Sequence, residues 1–188
     1  VMEAQPPNIL LIMTDQQRWD HLGCNGHPVI RTPNIDRIAH EGVSFDRHYC
    51  NHPLCTPSRA ALMTGRYPSA NRAYDNGTCL AKSEVTLPRV LGEHGYVTHA
   101  VGKIHLSSVC EPNAQTFESG SFWASGRAPR EPVPYAGFDR VELCTRHISP
   151  DTGYYGLWLD EAFPDVKKNW QKYLSPHPSG APDAYDWT

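Results

Sequence analysis

The sequence predicts an α/β fold built around a mainly parallel central sheet, because apolar strand segments and helix signals occur in the same chain. The run 8–14 is apolar on both faces, which is typical of a central strand in a parallel sheet. Residues 96–102 form a second predicted strand, which follows a predicted helix over 86–95. These segments indicate one domain with helices packed on a sheet.

Two further segments carry helix signals. Residues 32–42 are predicted to form a helix, with Thr32 as its N-cap and a glycine as its stop. Residues 153–170 are also predicted to be helical, with a kink near Pro164. Helices therefore occur on both sides of the central predicted strands along the chain.

The remaining segments are predicted as one strand and two irregular stretches. The alternating segment 43–49 is predicted to be a strand. Residues 107–150 are rich in Pro, Gly and aromatic side chains, and we expect an irregular excursion over the mouth of an active site. Residues 175–182 are predicted to be a loop.

The length, charge and apolar content of the chain exclude several function classes. The chain has 188 residues, with 17 Lys plus Arg against 20 Asp plus Glu, and a formal net charge of −3. This length supports one domain with a core, and the lack of a basic block argues against a nucleic-acid partner. The longest apolar run, Ile9–Met13, is too short to span a membrane, so no membrane partner is expected.

The six cysteines form no C-x-x-C pair, which argues against a zinc ribbon or a redox dithiol. Their irregular spacing argues against a disulfide framework and favours reduced thiols in the cytoplasm. Residues 1–7 contain no apolar core of a signal peptide. A periplasmic or secreted location stays open if such a peptide had been removed.

The stretch Cys55-Thr-Pro-Ser-Arg59 is predicted to be a polar turn that opens a helix. Pro57 suits the first helical turn and Gly65 suits the stop. Cys55 should therefore lie just before a helix N-terminus, where unpaired N–H groups and the positive end of the dipole favour an anion. Arg59 adds a permanent cation whose fork suits oxyanions. The alternative is a buried, inert cysteine beside an ordinary helix.

Three other positions carry polar groups where the chain turns. Asp15 ends the first predicted strand, at the sheet edge where α/β proteins collect ligands, although a helix N-cap is the simpler interpretation. Lys103 and His105 follow the second predicted strand, and each alone could be an ordinary surface residue. Asn76 lies in an Asp-Asn-Gly sequence that is typical of a plain turn.

The segments that contain these residues resemble those of the type I sulfatases. This family comprises formylglycine-dependent sulfatases and related phosphonate monoester hydrolases, and it belongs to the alkaline phosphatase superfamily. The resemblance covers about residues 6–106 and rests on the Cys-x-Pro-Ser-Arg signature, its Leu-Met-Thr-Gly-Arg continuation, and four flanking motifs. The matching segments are Cys55–Arg59, Leu62–Arg66, Pro7–Asp15, Thr32–Ala39, Ala73–Gly77 and Gly102–Leu106, the last with Ile104 where the family has Trp. The resemblance implies an alkaline-phosphatase-like α/β/α sandwich.

For the metal, the resemblance implies that Asp15 binds a divalent cation, either Ca²⁺ or Mn²⁺, together with residue 55. Many relatives have a second Asp where this chain has Gln16. An amide oxygen can bind a hard cation but carries no charge, so Gln16 would be a weaker ligand or would act from outside the coordination sphere.

For the chemistry, the resemblance implies that Cys55 is oxidised to formylglycine, whose hydrated form attacks the ester. Arg59, Lys103 and Asn76 would bind the anionic oxygens, and His105 would handle the proton of the formylglycine hydroxyl. The function implied is hydrolysis of small-molecule sulfate esters. Hydrolysis of phosphonate monoesters or phosphodiesters, a cysteine hydrolase and an inactive anion-binding relative remain as alternatives.

Relatives in this family are several hundred residues long, and their later metal ligands have no counterpart before Thr188. We therefore expect residues 1–188 to be the N-terminal portion of a sulfatase catalytic domain. The rest of that domain would be supplied covalently or as a second chain. Homo-oligomerisation stays open.

Overall fold

A computed structural model describes residues 6–108, 116–145 and 152–170, and the chain divides into two compact units, Val1–Tyr49 and Cys50–Thr188. The first unit contains helix α1 (Pro33–Glu41) and two single 3-10 turns, Trp19–His21 and Gly23–Asn25. The second unit contains α2 (Cys55–Thr64), α3 (Pro68–Asn71), α4 (Leu87–Glu93), β1 (His99–Gly102), α5 (Gly120–Ala124), β2 (Val133–Tyr135), β3 (Phe138–Leu143), α6 (Gly153–Ala162) and α7 (Pro164–Lys168). The loop predicted over 175–182 lies outside the described residues.

Helix α1 confirms the helix predicted over 32–42, with Thr32 as the N-cap residue and Gly42 as the C-cap residue. The Thr32 hydroxyl accepts a hydrogen bond from the Gly23 N–H at 2.8 Å and donates to Asp36 at 2.7 Å. The same carboxylate accepts from the Cys24 N–H at 2.7 Å. These bonds fix the second 3-10 turn against the first turn of the helix.

Two strands predicted in the first unit are wrong, because residues 8–14 and 43–49 form no strand. The side chains of Ile9–Met13 are between 40% and 84% exposed. A strand forms only when its N–H and C=O groups pair with a neighbour, and the described residues of this unit give neither segment such a partner. The apolar pattern indicates that these side chains are suited to burial, but it does not indicate which strand would pair with the segment.

The sheet of the second unit has the order β1-β3-β2. β1 pairs in parallel with β3, from His99 opposite Arg140 to Gly102 opposite Leu143, while β2 pairs antiparallel with β3. The strand predicted over 96–102 is thus confirmed in its last four residues. The described sheet is mixed, whereas a mainly parallel one was expected.

The segment 107–150 is less irregular than expected, because its described residues contain α5, β2 and β3. The missed signal is the alternation along β3, where Val141 and Leu143 are buried and the residue between them is half-buried. The segment was predicted to be irregular because its Pro and Gly content is a stronger signal than this short period-2 pattern.

Two predicted helices of the second unit are confirmed with small changes. α4 has Thr86 as its N-cap residue and ends before His94, not at Gly95. The stretch 153–170 is divided at Phe163, directly before Pro164, into α6 and α7. None of the helices in the described ranges has both the length and the apolar character that crossing a membrane requires.

The core of the second unit connects α2, the sheet and the loop that leaves β1. Its buried members are Ala60, Met63, Ala73, Ile104, Leu106, Trp123, Val141, Leu143 and Tyr154. Ile104 and Leu106 are only 5% and 3% exposed, so the loop after β1 is anchored at alternate residues. That anchoring sets the positions of Lys103, which directly precedes Ile104, and of His105, which lies between the two apolar residues.

Candidate active site

The first component of the candidate site is the N-terminus of α2. The helix begins at Cys55, with Leu54 as the N-cap residue, and ends before Gly65, whose φ of 65° is left-handed. This confirms the predicted helix and moves Cys55 into its first position, with the side chain half-buried. The leucine N-cap makes no side-chain hydrogen bond, so the helix start depends on other groups for its N–H donors.

Asn76 supplies one of those groups. Its Oδ1 accepts a hydrogen bond from the Thr56 N–H at 3.0 Å, which joins the loop after α3 to the first turn of α2. The predicted Asp-Asn-Gly turn is present, because Asp75 Oδ1 accepts from the Gly77 N–H at 2.8 Å. This bond assigns the amide orientation of Asn76, and its Nδ2 has no hydrogen-bond partner among the described residues.

A lysine side chain lies beside Cys55, and an arginine side chain contacts the main chain of that lysine. Lys103 Nζ lies 3.5 Å from Cys55 Sγ, within hydrogen-bonding distance of a sulfur. Arg59 is only 6% exposed, and its Nη1 donates to the Lys103 carbonyl at 2.5 Å. The guanidinium thus ties the loop after β1 to α2, and the three predicted site residues form one contiguous group.

His105 is buried, with 5% of its surface exposed, and its φ is 55°. A non-glycine residue in the left-handed region costs on the order of 1–3 kcal/mol, and such strain persists where the surrounding structure fixes it. Leu106 on its C-terminal side is fixed by its buried side chain and by its carbonyl, which accepts from the Leu80 N–H at 2.8 Å. No local feature of the sequence indicates this backbone conformation.

Glu118, which was not among the predicted site residues, contacts the loop that contains His105. Its side chain is 2% exposed, and its Oε1 accepts from the Leu106 N–H at 2.8 Å and from the Tyr135 hydroxyl at 2.9 Å. Burial raises the pKa of Glu118, while the N–H and O–H donors act in the opposite direction. No local pattern marks this residue, because its partners are distant in sequence.

Asp15 and Gln16 lie in the first unit, and both are exposed. The φ of Gln16 is 52°, so the backbone turns sharply after Asp15. A carboxylate and an amide oxygen are the donor types that hard divalent cations prefer. Within the described ranges, no group of three or more His, Cys, Asp or Glu side chains could hold a metal ion. The two oxygens fit such a cation in type but are not a complete ligand set.

The sequence is similar to known proteins over more than half of its length. The model of the Sulfatase family matches residues 7–139, and the chain belongs to this family. Mouse (Mus musculus) steryl-sulfatase is 44% identical over 117 residues, which are 56% of this chain and 19% of the relative. The chain thus spans about a fifth of the length of this relative.

Solved structures show the same fold. One, described as a complex with its substrate D-glucosamine-2-N,6-O-disulfate, is 41% identical, with a TM-score of 0.53 over 54% of this chain and 21% of its own. The phosphonate monoester hydrolase of Agrobacterium radiobacter is 26% identical, with a TM-score of 0.61 over 94% of this chain and 32% of its own. The chain therefore has the α/β architecture of the alkaline-phosphatase-like sulfatases, of which it contains a part.

Proposed function

We propose that the protein hydrolyses sulfate esters, with residue 55 at the reacting centre. The observation that carries this proposal is the contact of Lys103 Nζ with Cys55 Sγ at 3.5 Å, beside the buried Arg59. A lysine at the helix N-terminus and an arginine one turn into the helix form a site for an anionic tetrahedral group, and a sulfate ester presents such a group.

The binding of the sulfate group falls to Arg59, Lys103 and Asn76. Arg59 brings a planar guanidinium whose N–H groups suit oxyanions, and Lys103 brings a compact ammonium. The side-chain oxygen of Asn76 accepts a hydrogen bond from the first turn of α2, so its N–H donors remain for an oxygen of the substrate. Because these groups are fixed before the substrate arrives, they stabilise developing negative charge without reorganising.

His105 has the role of handling a proton. An imidazole can take and release protons near neutral pH, which suits a step in which a hydroxyl at residue 55 loses its proton. Its position two residues after Lys103 on the same anchored loop favours this role. The buried side chains of Ile104 and Leu106, on either side of His105, limit the movement of the His105 backbone.

The modification and the metal are the finer part of the proposal. When present, formylglycine at residue 55 supplies a hydrated aldehyde as nucleophile, and a divalent cation lowers the pKa of its hydroxyl. Asp15 and Gln16 would bind that cation, which we propose to be Ca²⁺ or Mn²⁺ because the donors are oxygens. The remaining ligands would come from the C-terminal part of the domain, covalently or on a second chain.

One observation favours a second candidate. The similarity to the phosphonate monoester hydrolase covers 94% of this chain, whereas the similarity to the complex with the glucosamine disulfate covers 54%. Sulfate and phosphonate esters are both tetrahedral oxyanion esters, so the same cations would bind either. Hydrolysis of phosphonate monoesters is therefore the alternative activity of the same site.

A panel of substrates tests the proposal on the protein at its full natural length. It contains aryl sulfates, choline sulfate, sugar sulfates and phosphonate monoesters, and the sugar sulfates are included because a similar structure holds a sulfated glucosamine as substrate. The Lys103→Ala variant is compared with Lys82→Ala, which removes an exposed lysine elsewhere in the chain. Sulfate release that is lost only in Lys103→Ala supports the proposal. Equal loss in both variants, or turnover of phosphonates alone, contradicts it.

A further inference from the structure

A buried carboxylate that the proposed reaction does not use holds the loop after β1. Glu118 lies thirteen residues beyond His105, in the turn that precedes α5. Its Oε1 accepts from the Leu106 N–H at 2.8 Å, and the neighbouring N–H groups of His105 and Ser107 lie close enough to the carboxylate to lower its pKa. Three successive main-chain donors therefore face one acidic side chain.

This arrangement has the character of a backbone nest. Successive N–H groups around a left-handed residue form a concave site that attracts an anion. Here the left-handed residue is His105, with a φ of 55°, and the anion is the side chain of Glu118. Since the left-handed backbone is unfavourable for histidine, the bonds to the carboxylate offset the strain and select this conformation.

The carboxylate is itself held in place. The Tyr135 hydroxyl, on β2, donates to Glu118 Oε1 at 2.9 Å. The main chain of Phe117 is fixed by the Trp123 indole N–H, which donates to its carbonyl at 2.8 Å. Ser119 is fully buried, and its N–H donates to the Thr116 carbonyl at 3.0 Å. Glu118 thus projects from a turn that cannot shift without breaking several bonds.

The loop is held from its other side by Arg59. Its Nη1 donates to the Lys103 carbonyl, so the guanidinium fixes the start of the loop while Glu118 fixes its middle. Lys103 and His105, the two side chains that face residue 55 in the proposed reaction, belong to the segment that these two attachments hold. Their placement therefore depends on a carboxylate that touches neither the substrate nor residue 55.

We propose that Glu118 is a positioning residue, whose carboxylate sets the backbone of His105 and Leu106 so that Lys103 and His105 meet the reacting centre. The assignment of those two side chains to the reaction rests on the proposed function. The positioning itself rests on the hydrogen bonds of Glu118, and it can be measured without turnover.

Three variants of the protein at its full natural length test this. Glu118→Gln keeps the shape and one acceptor oxygen, but it removes the negative charge and places an N–H donor at the other terminal atom, which weakens the hold on the main-chain N–H groups. Tyr135→Phe removes only the hydroxyl that fixes the carboxylate. Asp139→Asn is the matched control, because Asp139 Oδ2 also accepts a main-chain N–H, that of Thr98 at 2.7 Å, but before the opposite end of β1. All variants are compared at equal folded fraction.

The expected result is a loss of kcat in Glu118→Gln of roughly tenfold to a hundredfold with KM nearly unchanged, the scale of a small displacement of reacting groups. Tyr135→Phe should show a smaller loss of the same kind, and Asp139→Asn should keep the native kcat. Amide hydrogen exchange at Leu106 and Ser107 should become faster in Glu118→Gln. An unchanged exchange rate, or equal losses of kcat in Glu118→Gln and Asp139→Asn, would overturn the proposal.

The exchange measurement separates this inference from the proposed function. If the native protein hydrolyses no ester of the panel, the proposed function is wrong. Faster exchange at Leu106 and Ser107 in Glu118→Gln would then still support the positioning of the loop by Glu118. Native exchange in that variant would contradict the positioning, whatever the activity.

Discussion

Replacement of Asn76 separates two functions of one side chain. Its Oδ1 caps α2 through the Thr56 N–H at 3.0 Å, and its Nδ2 is the group that we propose binds the sulfate. Asn76→Asp keeps an oxygen for the cap and replaces the N–H donors with a negative charge. Asn76→Ala removes both groups. Asn76 also lies outside the Cys55–Arg59 signature, so the modification of residue 55 should be unaffected.

The magnitudes follow from the two bonds. Loss of a helix N-cap costs about 1 kcal/mol, and Asp caps about as well as Asn, so only Asn76→Ala should lower the free energy of unfolding. A hydrogen bond to a charged group contributes about 1.5–3 kcal/mol, which corresponds to a loss in kcat/KM of about tenfold to 150-fold in Asn76→Ala. Asn76→Asp should lose more, because its carboxylate repels the anionic substrate.

The assays are urea unfolding and steady-state hydrolysis of an aryl sulfate on the same preparations. The two variants should rank in opposite order, with Asn76→Asp the more stable and the less active. Native kcat/KM in Asn76→Asp would refute binding of the anion by Asn76. Equal stability of the two variants would refute the cap.

Three further outcomes are expected. Cys55→Ala should abolish turnover and leave the fold intact, and Cys55→Ser should not sustain multiple turnover, because one hydroxyl cannot release sulfate by re-forming an aldehyde; native turnover by the Ser variant would contradict this. Asp15→Asn should weaken binding of Ca²⁺ or Mn²⁺ by roughly tenfold or more, measured by calorimetry, and an unchanged Kd would exclude Asp15 as a ligand. The Thr98 N–H and hydroxyl lower the pKa of Asp139, so its stabilising contribution is present above the ordinary Asp pKa of about 3.9 and is lost as the pH falls through the lowered value. Unfolding of the native protein and Asp139→Asn should therefore differ at neutral pH and converge in acid, and a pH-independent difference would contradict the assignment.

The parts of the fold that were predictable from sequence are those with local signals. Thr32 and Gly42 bound α1, Pro164 divides α6 from α7, and Gly65 ends α2, because caps and breakers act on their own neighbours. The strand over 8–14 failed for the opposite reason. An apolar run specifies that a surface suits burial, but a strand is defined by a partner that is distant in sequence.

In the site, too, local signals were predictable from the sequence and contacts between distant segments were not. The positions of Cys55 and Arg59 on α2 follow from the Cys-Thr-Pro-Ser-Arg stretch, and their contact with Lys103 agrees with the motif resemblance. The left-handed backbone of His105 and the carboxylate of Glu118 were not predictable. Each depends on how a loop and a distant turn meet, and neither residue type is unusual for its local sequence.

The mass of the peptide that contains residue 55, taken from the protein purified from its native source, tests the central claim most directly. Formylglycine differs from cysteine by the loss of one sulfur and two hydrogens and the gain of one oxygen. We predict that this mass is found in material that releases sulfate from an ester. An intact cysteine at residue 55 in fully active protein would contradict the claim that this residue reacts as formylglycine.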